Sequence, residues 1–181
     1  KIKNHNVKLS VVIAAAFGCP YEGKIKEAKV LDLISKSLSY GAKEIIIADT
    51  IGSGLPSQVT SFSKKVNPML GEALLGFHFH NTRNTGYANA VAAINGGTDI
   101  LDASIGGIGG CPFVPNATGN IATEDLLYLI PNSESGFAYD KLKLLGIVDW
   151  LRELIPECLT GKLSHAGYFP DYLNYKDNVK K

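Results

Sequence analysis

Two histidines separated by one residue, His78 and His80, are the residues in this sequence best suited to chemistry. They end the apolar run 74–81, whose length and composition are typical of a β-strand. Because side chains alternate between the two faces of a strand, both imidazoles should point to one side, and Phe77 and Phe79 to the other. Two imidazole nitrogens on one face indicate a metal site. A pair of hydrogen-bonded core histidines is the alternative.

Asp49 is a second candidate, because it directly follows the apolar run 44–48. Strand alternation along Ile45, Ile47 and Asp49 predicts that this carboxylate continues an inward row into the mouth of the sheet. A turn aspartate or a helix N-cap before Gly52 explains the same spacing equally well. The sequence therefore allows Asp49 either a chemical or a structural role.

The glycine-rich segment 106–110 leads directly into Cys111 and Pro112. Small neighbours should leave the Cys111 thiol exposed, whereas we expect Cys158 to be buried as a small hydrophobic residue. Neither a helix nor a lysine follows the glycines at once, which argues against a phosphate-binding loop, and a flexible turn is the structural alternative. Asn120 is the next polar side chain able to reach back. An amide oxygen beside two imidazoles suits a divalent ion such as Mg²⁺ or Mn²⁺.

Short apolar runs alternate with helical patterns along most of the chain, which predicts an α/β fold. Strands that start roughly 25 to 35 residues apart, with a helix between them, have the spacing of parallel βαβ units. All the polar candidates follow predicted strands, so they should meet at the carboxyl edge of the sheet. The predicted strands are 9–17, 44–48, 73–79 and 98–104, and the predicted helices are 24–40, 56–66, 85–95, 122–130 and one within 139–155, before an arm from residue 160.

The bulk composition is that of one soluble globular domain. The chain has 181 residues, of which 45% are hydrophobic and 19% charged, with a formal net charge of +1. Lys and Arg are scattered, and the longest apolar run, 11–17, is too short for a bilayer, so we expect neither nucleic-acid nor membrane binding. Three widely spaced cysteines favour a reducing compartment, the cytoplasm. Because the chain starts with Lys1, we expect it to begin part-way through a longer gene product.

The motifs at these positions resemble those of the hydroxymethylglutaryl-CoA lyases, metal-dependent carbon–carbon lyases built on a TIM barrel. The His-x-His element is shared with isopropylmalate and homocitrate synthases, whereas the Gly-Gly-Cys-Pro loop is the mark of the lyases. One departure is Asn81, which stands where many family members carry Asp, and the loop 114–118 also differs from the commonest forms. The matching segments, in the family's order, are 18–23, 49–52, 78–83, 109–113 and 119–125.

The resemblance implies a metal site and a catalytic set. His78, His80 and Asn120 would be metal ligands, and the cofactor would be Mg²⁺ or Mn²⁺. Cys111, Asp49 and His78 would be catalytic, with Cys111 as the general acid and Asp49 as a carboxylate. The implied reaction is the retro-Claisen cleavage of 3-hydroxy-3-methylglutaryl-CoA to acetyl-CoA and acetoacetate. The implied partner is therefore an acyl-CoA substrate.

The length of the chain predicts an incomplete barrel. A full barrel has eight βα units in about 250 residues, and this chain supplies about four. We therefore expect the C-terminal half of the barrel over residues 1–130 and a helical extension over 131–181. The family's first strand carries an Arg-Asp pair that would complete the metal site, and we expect it outside these residues. We expect the chain to form a homo-oligomer or to join a missing N-terminal half-barrel. Two alternatives to the lyase stay open: a catalytically silent half-barrel that persists as an assembly module or degraded gene product, and a related aldolase or synthase.

Overall fold

The computed structural model describes residues 7–110, 118–130 and 138–169. These residues form two compact units, one over 7–102 and the other over 103–110, 118–130 and 138–169. The elements of the first unit are β1 (Ser10–Ile13), α1 (Glu27–Ser39), β2 (Glu44–Asp49), α2 (Pro56–Val66), β3 (Leu74–Phe79), α3 (Gly86–Asn95) and β4 (Ile100–Asp102). The helices of the second unit are α4 (Thr123–Leu129), α5 (Lys141–Leu154) and α6 (Leu163–Ala166), and short 3₁₀ helices occupy Asn67–Met69, Ile105–Gly107 and Pro156–Cys158.

The four strands form one parallel sheet in the order β1-β2-β3-β4, which confirms the predicted α/β architecture. The two central strands are the most buried, as expected where helices cover a parallel sheet. Ile45, Ile47 and Phe77 have no exposed surface. Each fully buried side chain of this size stabilises the fold by about 1.5–3 kcal/mol. This core fixes where the carboxyl ends of the strands lie.

The outer strands are shorter than the sequence predicts, because local backbone geometry ends them. Ala15 adopts a φ of 53°, in the left-handed region, so the chain leaves β1 soon after Ile13. At β4, the Thr98 N–H donates to the Ala93 carbonyl at 3.1 Å and therefore still belongs to the end of α3. The Asp99 carboxylate accepts from the Leu75 N–H at 2.9 Å, so its side chain takes part in joining the neighbouring strand.

The helices lie where the apolar periodicity predicts them, and the bounds of α2 match the prediction at both ends. Pro56 opens α2, and the Gln58 Oε1 accepts from the Leu55 N–H at 2.9 Å, which satisfies a donor at the helix start. α1 begins at Glu27, later than predicted, because Lys26 is extended. The apolar faces of α1 and α2 are buried. The buried apolar residues are Val30 and Ile34 in α1, and Val59, Phe62 and Val66 in α2.

In the second unit, a side-chain carboxylate caps helix α5. The Asp140 Oδ1 accepts from the N–H groups of Leu142 and Lys143 at 3.0 and 3.1 Å at the start of α5. Helix α6 lies within the segment that we expected to be an arm, while residues 170–181 lie outside the described residues. Among the residues that the structure describes, no helix has both the length and the apolar character that a membrane crossing requires.

Candidate functional site

His78 and His80 lie at the carboxyl end of β3 with their rings on the same face, as strand alternation predicts. Their Nε2 atoms are 3.2 Å apart, and the ring centroids are 5.0 Å apart with an interplanar angle of 74°. His80 is buried, whereas the side chain of His78 keeps 26% of its surface exposed. Phe77 and Phe79, on the other face, are fully buried. The pair therefore presents two converging nitrogens, one of them on a partly exposed side chain.

Asp102 orients His78 from the neighbouring strand, a contact that sequence reasoning missed. The two residues are paired in register across β3 and β4, and Asp102 Oδ1 lies 2.5 Å from His78 Nδ1. A carboxylate at Nδ1 keeps the proton on that nitrogen, so the lone pair of the ring stays on Nε2. An aspartate within the predicted fourth strand was a visible signal, but only strand register shows that it reaches His78.

The histidine pair fits a divalent cation. Two nitrogens bound to one ion at 2.0–2.1 Å and at a right angle lie roughly 3 Å apart, close to the observed Nε2 separation. A carboxylate behind a ligating imidazole is also the usual arrangement at protein metal sites. Within residues 7–110, 118–130 and 138–169, no group of three or more His, Cys, Asp or Glu side chains could hold a metal ion. A metal ion bound by the two histidines would therefore need a further ligand of another type, such as an amide oxygen.

The expectation that Asp49 points into the mouth of the sheet with the histidines is wrong. The parallel register pairs Asp49 with Phe79 and Ala48 with His78. Because paired residues share a face, the Asp49 carboxylate stands on the side of Phe79, opposite His78. The error arose because alternation within β2 gives two faces but does not say which of them carries the histidines of β3.

Asp49 holds the loop that follows β2. The carboxylate is completely buried, and its two oxygens each accept from a backbone N–H at 2.9 Å, from Ser53 and Gly54. Burial raises the pKa of the Asp49 carboxyl, and these two N–H groups oppose the shift. These bonds match the turn aspartate that the spacing left open. The catalytic role that the resemblance implies for Asp49 stays a prediction.

Residues from the β3–α3 region hold the same loop from the other side. Arg83 donates from one guanidinium nitrogen to the carbonyls of Ile51 and Gly52, at 2.6 and 3.3 Å. Asn89, buried on α3, donates to the Gly54 carbonyl at 3.0 Å. Gly52 has a φ of 58°, and a Cβ there would lie 3.1 Å from the His80 carbonyl oxygen. The β2 loop is therefore packed directly against the backbone of a candidate ligand.

In the second unit, Asn120 has the features of an oxygen ligand. Its Nδ2 donates to the Ile108 carbonyl at 2.9 Å, and its backbone N–H donates to the Gly107 carbonyl at 3.1 Å. Its Oδ1 is buried, and no described residue forms a hydrogen bond with it. A buried polar atom without a partner is costly in a native protein and calls for an explanation. A cation ligated by this oxygen would supply one, so Asn120 fits the role that the resemblance implies.

Glu124 is a buried carboxyl that the sequence did not single out. It has no exposed surface, and its Oε2 accepts from the Gly106 N–H at 3.0 Å, at the base of the glycine-rich loop. Burial raises the pKa of this carboxyl, and the bond from Gly106 opposes the shift. Its position in the first turn of α4 indicates a favourable charge at a helix start. Only the fold shows that the side chain turns inward to the loop.

Of the three cysteines, the structure describes Cys19 and Cys158 but not Cys111, the predicted general acid. Cys111 lies outside the described residues, so its role as general acid stays a prediction. Cys158 is exposed, and the expectation that it is buried is therefore wrong. It falls in the short 3₁₀ helix after α5, where the chain has already left the apolar face of that helix. Cys19, in the loop after β1, is partly exposed.

The sequence and the fold both match one family of proteins. A model of the HMGL-like family matches residues 3–150. This chain belongs to the HMGL-like family. A (R)-citramalyl-CoA lyase from Chloroflexus aurantiacus is 40% identical over 92% of the chain, and the mitochondrial hydroxymethylglutaryl-CoA lyase of Homo sapiens is 34% identical over 89% of it. Family membership confirms the resemblance that the motifs carry.

A solved structure extends the match to the fold. An HMG-CoA lyase from Acinetobacter baumannii, in complex with coenzyme A and 3-methylmalate, superposes with a TM-score of 0.78 and 39% identity over 88% of this chain. The four βα units of the HMGL-like chain are therefore part of a TIM barrel. The chain spans about half the length of the relatives it matches, 52% of the citramalyl-CoA lyase and 50% of the human lyase.

Proposed function

We propose that the full-length protein is a divalent-metal-dependent carbon–carbon lyase that cleaves 3-hydroxy-3-methylglutaryl-CoA to acetyl-CoA and acetoacetate. The observation that carries this proposal is the convergence of His78 Nε2 and His80 Nε2 to 3.2 Å at the carboxyl edge of the parallel sheet. Relatives named as hydroxymethylglutaryl-CoA lyases, among them the human protein, support the same reaction. The coenzyme A in the Acinetobacter baumannii structure supports an acyl-CoA substrate.

In this proposal, His78, His80 and Asn120 hold Mg²⁺ or Mn²⁺. A bound divalent cation makes the hydroxyl proton of a tertiary alcohol easier to remove and stabilises the resulting negative charge. Asp102 contributes by keeping the His78 lone pair on Nε2. Asn120 contributes a buried amide oxygen that forms no hydrogen bond with any described residue.

The reaction needs one proton removed and one proton supplied. The substrate hydroxyl passes its proton to a general base, the bond between the carbinol carbon and the methylene carbon next to the thioester breaks, and the electron pair of that bond passes to the acetyl-CoA enolate. Cys111 is the donor that we propose for that carbon, because a thiol on a glycine-rich loop can reach the leaving group. His78 is proposed to serve the reaction as a ligand, and Asp49 by holding the β2 loop.

A second substrate has its own support. The 40% identity to a (R)-citramalyl-CoA lyase exceeds the 34% identity to the human hydroxymethylglutaryl-CoA lyase. Breaking the same bond in citramalyl-CoA would release acetyl-CoA and pyruvate, with the same demands on metal and acid. Asn81, where many family members carry Asp, lies next to the candidate ligand His80 and is the departure nearest the site. We therefore treat citramalyl-CoA as the alternative substrate.

An assay of the full-length protein with both substrates tests the proposal. We expect acetyl-CoA release from one of the two thioesters, lost on chelation and restored by Mg²⁺ or Mn²⁺. Both Cys111→Ala and His80→Ala should abolish turnover, whereas Asp32→Asn, on the exposed surface of α1, should leave it unchanged. Full activity of Cys111→Ala would remove the acid assignment. Metal-independent cleavage, or full activity of His80→Ala, would contradict the proposed metal site.

A further inference from the structure

Gly106, at the base of the glycine-rich loop, is held on both sides of its backbone. Its N–H donates to Glu124 Oε2 at 3.0 Å, and its carbonyl accepts from the N–H groups of Thr160 and Gly161 at 2.8 and 3.2 Å. We propose that Glu124 and the segment Thr160–Leu163, called here the C-terminal strap, are positioning elements that hold Asn120 in place through this glycine. The inference rests on the proposed function insofar as Asn120 is a metal ligand.

The C-terminal strap is itself firmly attached. The Asp125 carboxylate accepts from the backbone N–H of Lys162 at 2.9 Å and from that of Leu163 at 2.7 Å. Leu163 is also buried in an apolar cluster with Leu145 and Tyr168. Because polar bonds and apolar packing both hold the strap, it can act as a fixed support for the loop rather than as a loose terminal segment.

The bonds continue from Gly106 to Asn120 through the loop backbone. The carbonyl of Gly107 accepts the Asn120 N–H, and the carbonyl of Ile108 accepts the Asn120 Nδ2. At Gly119, a Cβ would lie 2.4 Å from the Gly107 carbonyl oxygen, so two backbone segments touch at this point. A shift of the loop would therefore carry the Asn120 side chain with it. Two of its groups are fixed, and Oδ1 is left for a ligand.

Glu124 and Gly161 fit tightly together. A Cβ at Gly161 would lie only 2.2 Å from Glu124 Oε1, while the φ of Gly161 lies outside the left-handed region. The cost of an alanine at 161 would therefore come from displacing the carboxyl rather than from backbone strain. Gly146, within α5, offers the matched control, because a Cβ there meets no atom of the described residues within 4 Å.

Three variants and one control separate the role of the bond from that of the charge. Glu124→Ala removes the acceptor of the Gly106 N–H, whereas Glu124→Gln keeps an acceptor oxygen of the same shape. Gly161→Ala keeps the Glu124 carboxyl group but displaces it from its position. Gly146→Ala changes a glycine to alanine elsewhere in the same unit. Should Glu124→Ala fail to fold, the comparison of Gly161→Ala with Glu124→Gln still decides the proposal.

Amide hydrogen exchange, followed by NMR on the metal-free full-length protein with labelled glycine and asparagine, reports whether the glycine-rich loop keeps its position. We expect the Gly106 amide to lose about tenfold of its protection in Glu124→Ala and Gly161→Ala, since one hydrogen bond is lost, together with a shift of the Asn120 side-chain amide signal. Glu124→Gln and Gly146→Ala should match the parent. Unchanged protection and an unchanged Asn120 signal in Glu124→Ala or Gly161→Ala would overturn the proposal, as would the same loss in Glu124→Gln.

Binding of Mn²⁺ alone then separates this inference from the proposed function. We expect Mn²⁺ to broaden the Asn120 side-chain signal in the parent and in Glu124→Gln, and to bind about tenfold more weakly to Gly161→Ala. If Mn²⁺ leaves the Asn120 signal of the parent unchanged, the metal role of Asn120 fails, while the exchange data still decide whether Glu124 and the strap hold the loop. If Gly161→Ala binds Mn²⁺ as the parent does, the link from the strap to the ligand is contradicted.

Discussion

Two loops are each held by a buried carboxylate, but the carboxylates use their oxygens differently. Both oxygens of Asp49 accept from backbone N–H groups of the β2 loop. Glu124 accepts the Gly106 N–H through Oε2, and its Oε1 has no hydrogen-bond partner among the described residues. Neither side chain has any exposed surface, and burial raises the pKa of both. Burial and pKa therefore do not separate the two sites. The two sites differ in the number of N–H donors that each carboxylate accepts from. This number decides whether Asn or Gln can replace the acidic residue without loss of a hydrogen bond.

The largest effect that we expect follows directly from this difference. In Asp49→Asn, one oxygen becomes an NH₂ group that faces a backbone N–H, so a buried donor loses its acceptor. We expect a loss of about 1–3 kcal/mol in the free energy of unfolding, measured by urea denaturation, because an unsatisfied buried donor costs this much. Glu124→Gln keeps the acceptor of the Gly106 N–H, and its NH₂ group replaces an Oε1 that already lacks a partner among the described residues, so this variant should lose less stability than Asp49→Asn. Equal losses in the two variants would break the comparison.

The close packing of the β2 loop gives a second prediction. Gly52→Ala forces an alanine into the left-handed region and places its Cβ 3.0 Å from the Thr82 backbone nitrogen. Gly23→Ala also forces an alanine into the left-handed region, at a φ of 70°, but within the described part of the chain no atom lies within 4 Å of the new Cβ. The control should lose about 1–2 kcal/mol from the backbone alone, and Gly52→Ala should lose more and shift the His80 signals. If both variants lose the same stability, the loop does not press on the β3 backbone.

The pH dependence of stability gives the smallest effect. A raised pKa means that the folded protein holds the proton of Glu124 more tightly than the unfolded chain does. That stabilisation is fully present below the unfolded pKa, roughly 4, and is lost as the pH rises through the folded pKa. We therefore expect the free energy of unfolding of Glu124→Gln to fall less than that of the parent between about pH 4 and about pH 8. Identical slopes would show that Glu124 does not titrate differently on folding.

The sequence was sufficient to predict the βα order, because apolar periodicity and turn residues are local signals. It predicted both ends of α2 and the common face of His78 and His80. It failed on the ends of the outer strands, since the left-handed φ of Ala15 carries no signature in an alanine-rich run. Element bounds that depend on a single backbone angle are not readable from residue types.

Contacts between distant segments explain what the sequence missed at the candidate site. Asp102 reaches His78 only because β3 and β4 pair in one particular register. The side of the sheet on which Asp49 stands follows from the register of β2 with β3, and the bond from Gly106 to Glu124 joins residues 18 positions apart. Residue types showed which side chains could do chemistry. Only the fold shows which of them orient the others.

Mn²⁺ titration of the full-length protein tests the central claim most directly, because it asks whether the histidine pair binds a divalent cation at all. We predict one bound Mn²⁺ per chain, detected by the loss of the free-ion electron paramagnetic resonance signal. His80→Ala should abolish this binding, and Asp102→Ala should weaken it about 10- to 100-fold, as expected for a carboxylate that orients a ligating imidazole. Asp32→Asn should bind as the parent does. Binding that is unchanged in His80→Ala, or no binding by the parent, would contradict the claim.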